Sequence, residues 1–348
     1  MSSGYAIVAG DTSLHRAAVL GLARSLPEFP ESRYERYYDA NPLGPPVFRL
    51  AADISSGHIV GMASLHRLRV SAAGELLEGG LAADFVIDES HRGFGPALTL
   101  QRELVAALPD AGLSFVLALP NTAAEPVFRR LGYQELGRFN RFVKVLRASF
   151  AVRHSIGRPG LARAASIADP LLAYVSRERR LRKLAKYEVV RPDRFDARLT
   201  GVLGGADAGN IVIPARDAAV LNWKYELGGE TRYSIFAVAK DPSAVAAYAV
   251  YARLDNVWHL FDLLAQDPDA LDALLTLLLL DARSDGADAV ALSCLGQPLT
   301  LATRLRYFGF FRRADRLGAF IYTLPHLSEA SLLREGRNWY LLSGDSDL

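Results

Sequence analysis

Two short stretches in the first half of the sequence return in register in the second, and this duplication restricts the fold more than any other feature. Tyr34-Glu35-Arg36-Tyr37-Tyr38 lines up with Leu221-Asn222-Trp223-Lys224-Tyr225. Phe128-Arg129-Arg130-Leu131-Gly132-Tyr133 lines up with Leu305-Arg306-Tyr307-Phe308-Gly309-Phe310. Apolar periodicity around both matches predicts the same succession of elements, as in a tandem repeat. In the first copy, strands are expected over residues 5–9, 47–52, 59–68, 81–87 and 113–119, with helices over 96–108 and 122–131. The second copy repeats this with strands over 233–238, 244–253, 257–264 and 289–293, and helices over 268–283 and 299–307. Residues 133–146 read as two closing strands and 308–323 as a closing hairpin. The order predicts an α/β (α+β) fold of two similar units, each a central mixed, mostly antiparallel sheet flanked by helices. The units are expected over residues 1–150 and 188–348, joined by a basic helical connector over 151–187.

The chain's 348 residues allow a sizeable core in each unit, and its 50% hydrophobic and 22% charged residues are globular proportions. A formal net charge of +2 gives no global field for nucleic acid. Residues 151–186 hold nine Lys/Arg against two acids, which reads as a solvated connector or as a membrane-surface or nucleic-acid patch. Few aromatics interleave with those charges, so the solvated reading is preferred. Cys294 is the only cysteine, which excludes an internal disulfide and a thiolate metal cage and fits a reducing cytoplasm. The histidines lack metal-ligand spacing, so no metal is expected. The first 29 residues lack the layout of a signal peptide, and the apolar run 273–280 is far short of the roughly 20 residues that span a bilayer. A soluble, cytoplasmic chain is expected.

Chemistry concentrates in Asp84-Phe-Val86-Ile87-Asp88-Glu89-Ser-His-Arg92-Gly93-Phe94-Gly95-Pro96-Ala97. A strand enters a glycine-containing bend, and the bend opens a helix with proline at its first position. Gly93 and Gly95 allow close backbone approach, free amides and the helix dipole face an anion, and Arg92 adds a fixed charge. This arrangement is a phosphate cradle, although Arg/Gly loops also occur as plain turns.

Arg92-Gly-Phe-Gly95-Pro-Ala97 resembles the R-x-x-G-x-A signature by which enzymes of the GNAT superfamily of acyl-coenzyme A N-acyltransferases hold the coenzyme pyrophosphate. Leu119-Pro120-Asn121 through Phe128-Arg-Arg-Leu131-Gly132-Tyr133 resembles the family's second signature. The resemblance covers about residues 5–147. It implies acetyl-coenzyme A or another acyl-coenzyme A as donor, and a primary amine on a small molecule as acceptor. It also implies that the fourth and fifth strands splay apart around the pantetheine arm. Backbone groups near Val86 and Ile87 would pair with that arm, a strand N–H would polarise the thioester carbonyl, and Asn121 would contact the pantetheine or its partner.

Asp84, close to the splay, is the candidate general base; the alternative is a solvated or turn-bonding aspartate. Many relatives carry a tyrosine where this sequence has Phe128, and phenylalanine cannot protonate the leaving thiolate. Water, Tyr37 or Tyr133 remain open as proton donors. In the second copy, Trp258–Asp269 has neither glycine nor arginine at the corresponding bend, and Asp267 can cap the helix itself. One coenzyme per chain is therefore expected, with the second copy walling the acceptor pocket. Tyr37 and Asp262 are candidate acceptor-binding residues, and a buried structural role for Asp262 is the alternative; Trp223 is simplest as core. A fragment ending at Lys186 is expected to keep coenzyme affinity if it folds.

The tail, Trp339 through Asp347, resembles tails of bacterial tandem acyltransferase-like proteins linked to surface polysaccharides, which implies an amino sugar acceptor; a frayed edge strand is the alternative. Two other functions compete. One is a non-catalytic coenzyme- or ligand-binding scaffold. The other is an aminoacyl transferase of the FemAB kind, which needs no pyrophosphate loop.

Overall fold

The computed structural model describes residues 4–23, 29–92, 94–150, 169, 174, 176–181, 187–202, 211–225, 231–241, 244–296 and 299–346. In the first half, β1 (Tyr5–Ala9), β2 (Val47–Asp53), β3 (Ile59–Ala72), β4 (Glu75–Ile87) and β5 (Phe115–Ala118) lie side by side in chain order. Helix α1 (Arg16–Ala23) and α2 (Glu31–Tyr34), which runs into a π turn at Glu35–Asp39, cover one face. Helices α3 (Phe94–Ala106) and α4 (Glu125–Arg130) cover the other, over Val60, Leu65, Leu100, Leu104, Val116 and Phe128. The second half contributes β7 (Glu188–Val190), β8 (Val212–Pro214), β9 (Tyr233–Asp241), β10 (Ala244–Leu254), β11 (Val257–Ala265) and β12 (Ala289–Gly296). Its helices are α5 (Arg177–Leu181), α6 (Ala197–Thr200), α7 (Ala218–Lys224), α8 (Pro268–Ser284) and α9 (Leu299–Tyr307), with a short α10 (Ala330–Leu333) before the tail. Asp267 caps α8 by accepting from the Ala270 N–H at 2.7 Å, with Pro268 at the first helical position.

The duplicated pattern has a common cause in local turn chemistry. The β3–β4 hairpin turns at Ala73-Gly74 and the β10–β11 hairpin at Asp255-Asn256, all four with positive φ. Two-residue turns of that hand match the twist of the strands they join. Each hairpin carries a bulge, between Met62 and Ser64 in the first and between Val250 and Tyr251 in the second. Each bulged strand then runs parallel to a neighbour, β4 to β5 and β11 to β12.

The two sheets expected from the repeat are joined into one. Residues 134–145 form a single strand, β6 (Gln134–Val145), and 311–323 another, β13 (Phe311–Thr323), in place of the expected strand pair and hairpin. Gly137, with φ +137°, and Gly318 sit at register shifts within these continuous strands. The order across the middle is β5-β13-β6-β12, so each half lends its last long strand to the other. β13 pairs with β5 from Phe320↔Ala118 to Thr323↔Phe115, and β6 pairs with β12 from Ala289↔Val145 to Cys294↔Asn140. Beneath the seam, Phe115, Leu117, Phe139 and Val70 of the first half share a core with Leu295, Ile321, Leu333 and Trp339 of the second.

Most of the basic connector lies outside the described residues. Its described helix α5 buries Glu178, whose carboxylate meets Lys144 Nζ at 3.2 Å and Arg283 Nε at 2.9 Å, binding the two halves through a shared ion cluster. Cys294 is buried, and burial pushes its thiol up to about 12. Among the described residues no helix is long and apolar enough to cross a membrane.

Candidate active site

The parallel β4–β5 ladder runs only from Gly79↔Phe115 to Ala82↔Ala118, whereas β4 continues to Ile87. Gly79 permits the close approach at the joined end, since a Cβ there would enter the Phe115 ring at 2.3 Å. Beyond Ala82 the β5-facing edge of β4 has no strand against it among the described residues, and Val86 and Ile87 pair only with Met62 and Gly61 of β3. At the open end Asp88 accepts from the Ser90 N–H at 3.0 Å, closing a short turn that leads to Arg92. Arg92 is exposed and pairs with Glu89 at 3.2 Å. Gly93 lies outside the described residues, as does the side chain of Phe94. The helix starts at Phe94, two residues before its expected start, so Pro96 is its third residue. That position is still in the first turn, where a missing N–H breaks no intrahelical bond. Gly95 faces open space, because a Cβ built on it meets no atom within 4 Å, and Ala97 anchors the helix in the core.

On the other wall β5 ends at Ala118, and Asn121 starts the turn into α4 by accepting from the Ala124 N–H at 3.0 Å. Phe128 is buried edge-on to Phe85 at 6.3 Å and to Tyr133 at 5.0 Å. The Tyr133 hydroxyl is buried without a partner among the described residues, and burial pushes it far above the ordinary phenol range. Such a phenol holds its proton and is a poor acid.

Asp84 sits in the bulge itself, with φ +48°, a left-handed backbone that few aspartates adopt. The bulge turns its side chain under α2, where five atoms of four side chains converge on it. Arg33 donates Nη2 at 3.1 Å and Nε at 3.3 Å to Oδ1; Tyr38 Oη at 3.0 Å, Ser64 Oγ at 3.2 Å and His66 Nε2 at 2.9 Å meet Oδ2. Burial pushes the carboxyl up, but His66, Arg33 and the Tyr38 hydrogen bond outweigh it and hold Asp84 well below the usual carboxylate range. Tyr38 is pushed far up by burial and by Asp84 and stays a donor. His66 is buried, stacked on Tyr37 at 4.8 Å, and its Nδ1 has no partner among the described residues.

Beside this cluster the two halves enclose a cleft of about 510 Å³, part of it open to solvent. Tyr37, His66, Arg67 and Leu81 line it from the first half; Trp223, Lys224 and Asp345 line it from the second. The duplicated segments hold it together: Trp223 Nε1 donates to the Arg36 carbonyl at 2.9 Å, and Arg36 Nη2 donates to the Trp223 carbonyl at 2.7 Å and to that of Lys224. Trp223 is half-buried: it packs against the core beneath α1 and α2 and also walls the cleft, edge-on to Tyr37 at 5.2 Å. Asp262 is fully buried one layer behind. It receives Arg216 Nε at 3.2 Å, and Arg216 Nη2 reaches Asp345 at 2.8 Å.

In the second half the splay between β11 and β12 is filled. Their ladder ends at Leu260↔Leu292, and β14 (Tyr340–Leu342) then pairs with β12 through Cys294↔Leu342, Leu295↔Leu341 and Gly296↔Tyr340. Ser343 Oγ and Tyr340 Oη donate to β11 carbonyls at Leu260 and Leu263, at 3.3 and 2.5 Å. Gly344 rests on the β11 bulge, so tightly that a Cβ would lie 2.7 Å from the Phe261 carbonyl oxygen and 2.0 Å from Tyr225 Oη. The tail is therefore packed and bonded through Ser346, where a frayed end was the alternative.

Sequence reasoning pointed to Asp84, Arg92, Gly95, Asn121, Phe128 and Tyr37, which the structure brings to one splay and one cleft. It missed Arg33, Tyr38, Ser64, His66, Lys224 and Asp345. Ser64 and His66 alternate on one face of β3, a signal visible in the sequence, but only the bulge aims Asp84 at them.

Residues 17–133 match the acetyltransferase (GNAT) family. The whole fold is similar to a conserved protein of unknown function from Enterococcus faecalis V583, described as a probable N-acyltransferase, with 10% identity and a TM-score of 0.66 over 92% of this chain and 72% of that one. It is also similar to a GCN5-related N-acetyltransferase from Kribbella flavida (17% identity, TM-score 0.61, 92% and 71% covered). A third likeness is to a GCN5-related N-acetyltransferase from Anabaena variabilis (12% identity, TM-score 0.65, 92% and 72% covered). At these identities the likeness shows a shared fold. A search of curated proteins found no match.

Proposed function

We propose, from the GNAT acetyltransferase match over residues 17–133, that the chain transfers an acyl group from an acyl-coenzyme A to a primary amine held between its two halves. The observation that carries this reading is the β4 edge, unpaired among the described residues and ending beside the buried Asp84 cluster, with a cleft lined by His66 of that cluster. An extended pantetheine arm fits the edge as an added strand, taken up by backbone groups at Val86 and Ile87. Arg92 and the first turn of α3, from Phe94 through Pro96 and Ala97, together with Gly93, would receive the pyrophosphate; Gly95 leaves the space for it. Asn121 would flank the arm, and Phe128 and Phe85 would exclude water beneath the thioester. The β3–β4 register leaves Asp84 and Phe85 without counterparts, so amides there are available to polarise the thioester carbonyl. Asp84 and its bonded neighbours form the proton-handling centre, and Tyr37 with Trp223 would hold the acceptor. Asp262 supports that wall through Arg216.

Calorimetry with acetyl-coenzyme A, then a thiol-release assay over an amine panel including amino sugars, tests the reading. Binding with turnover supports it. Binding alone would favour a scaffold, which Phe128 in the usual acid's place also favours, and absence of binding would favour the FemAB-like alternative. The acceptor class, an amino sugar destined for surface polysaccharide, is the finer part of the proposal and rests on the tail alone.

A further inference from the structure

We infer that His66 Nδ1 is the atom that takes the proton from the attacking amine, and that Asp84 is a positioning residue behind it; this rests on the acyltransferase reading. Asp84 has no oxygen left for a substrate. Oδ1 accepts both Arg33 bonds, and Oδ2 accepts from Tyr38, Ser64 and His66. The carboxylate is an acceptor only, so the 2.9 Å contact places a hydrogen on His66 Nε2. In a neutral imidazole the other nitrogen, Nδ1, is then a bare lone pair. It is buried, on a residue 2% exposed, and nothing among the described residues donates to it. Leaving such an acceptor unmet is unfavourable, and a substrate N–H would meet it.

The ring's placement is fixed. Tyr37 stacks on it at 4.8 Å and Tyr38 meets it edge-on at 5.8 Å. His66 itself lines the cleft opposite Trp223 and Lys224. Nucleophile, base and orienting carboxylate thus follow the order of a hydrolytic triad, with the amine in the nucleophile's place. As the amine lone pair forms the C–N bond, its N–H proton passes to Nδ1. The C–S bond breaks with its electron pair on sulfur, the thiolate departs, and the imidazolium returns its proton to solvent.

Two measurements on the full chain test this. A long-range 1H–15N spectrum of histidine-labelled protein with no acceptor present should show His66 protonated at Nε2 and bare at Nδ1, and Asp84→Asn should mix the tautomers. Protonation at Nδ1 overturns the proposal, whether or not the protein is an acyltransferase. With acetyl-coenzyme A and whichever panel amine reacts fastest, His66→Gln should lower kcat by roughly 10²- to 10⁴-fold with the acetyl-coenzyme A KM nearly unchanged. Exogenous imidazole should restore part of the rate of His66→Ala. A His66→Gln variant that binds acetyl-coenzyme A and keeps its rate within tenfold would overturn the assignment. A wild type that turns over no amine would instead sink the acyltransferase reading, with the spectrum still deciding the tautomer.

Discussion

Asp84 takes hydrogen bonds from Arg33, Tyr38, Ser64 and His66 at once, and that saturation sets what a single substitution does. Asp84→Asn leaves Arg33 facing a neutral partner and deprives His66 of its anchor. Turnover should fall by roughly two to four orders of magnitude while acetyl-coenzyme A affinity is nearly kept. Stability should fall by about 3–5 kcal/mol, the usual result of breaking one side of a buried ion pair. The folded Asp84 carboxyl lies below its unfolded value, so its contribution is present above about pH 4 and is lost as pH drops below that. Urea titrations at stepped acidic pH should show the wild type losing stability in that range, with a flatter acid limb in the variant. At the cradle, Arg92→Glu or Gly95→Val should weaken acetyl-coenzyme A binding by roughly a hundredfold with little change in melting temperature, since both positions are exposed and neither packs a core. Unchanged affinity by calorimetry would remove the pyrophosphate assignment. These positions were legible in the sequence because loop chemistry is local. His66 was not, because its role comes from a bulge on the neighbouring strand β4, 18 residues further along the chain.

Among the elements, the tail strand β14 separates the two halves most clearly. It lies on β12 where the first half leaves β4 and β5 open, and it ends in a carboxylate held by Arg216 and Lys224. One acetyl-coenzyme A per chain should therefore bind, at the first splay, and a calorimetric stoichiometry of two would contradict this arrangement. Asp345 is pushed up by burial, but Arg216 and Lys224 outweigh this and hold it at about 2. The clamp is thus intact above the ordinary carboxylate range and weakens as pH falls from about 4 toward 2. Asp345→Asn should abolish that part of the acid dependence and destabilise the chain already at pH 7, measurable by the same urea titrations. Helix α8 was readable from Asp267-Pro268 and its apolar stripe, and the hairpins from their alternation. The tail offered an edge strand as one of two readings, but not its place: three residues of strand carry no periodicity, and their pairing with β12 is set by packing.

For the whole molecule, the strand exchange decides what can be separated. A fragment ending at Lys186 lacks β13 and β12, so β5 and β6 lose the strand between them and the shared core loses Ile321, Leu333 and Trp339. The expectation that such a fragment keeps coenzyme affinity gives way to the opposite prediction. Alone it should aggregate or fail to bind acetyl-coenzyme A, and co-expression with residues 187–348 should restore binding; a soluble, binding-competent fragment would show that β13 is dispensable. The order of strands and helices was visible in the sequence because each element carries its own local pattern. The exchange was not, because β6 satisfies the same alternation whichever half it joins.

The placement of β13 also bears on how the chain is made. The strand that completes the first half, β13, follows β5 and β6 only much later in the chain, so the nascent first half leaves the ribosome with a gap between two unpaired edges. That gap stays open while residues 146–310 are synthesised. Such pairings of distant segments form slowly, and waiting edges are where chains associate wrongly or recruit chaperones. Because the splay proposed for acyl-coenzyme A is walled by β5, its maturation is tied to synthesis through β13. A stalled or prematurely ended product would carry every loop of the cradle and still lack the sheet that holds it open.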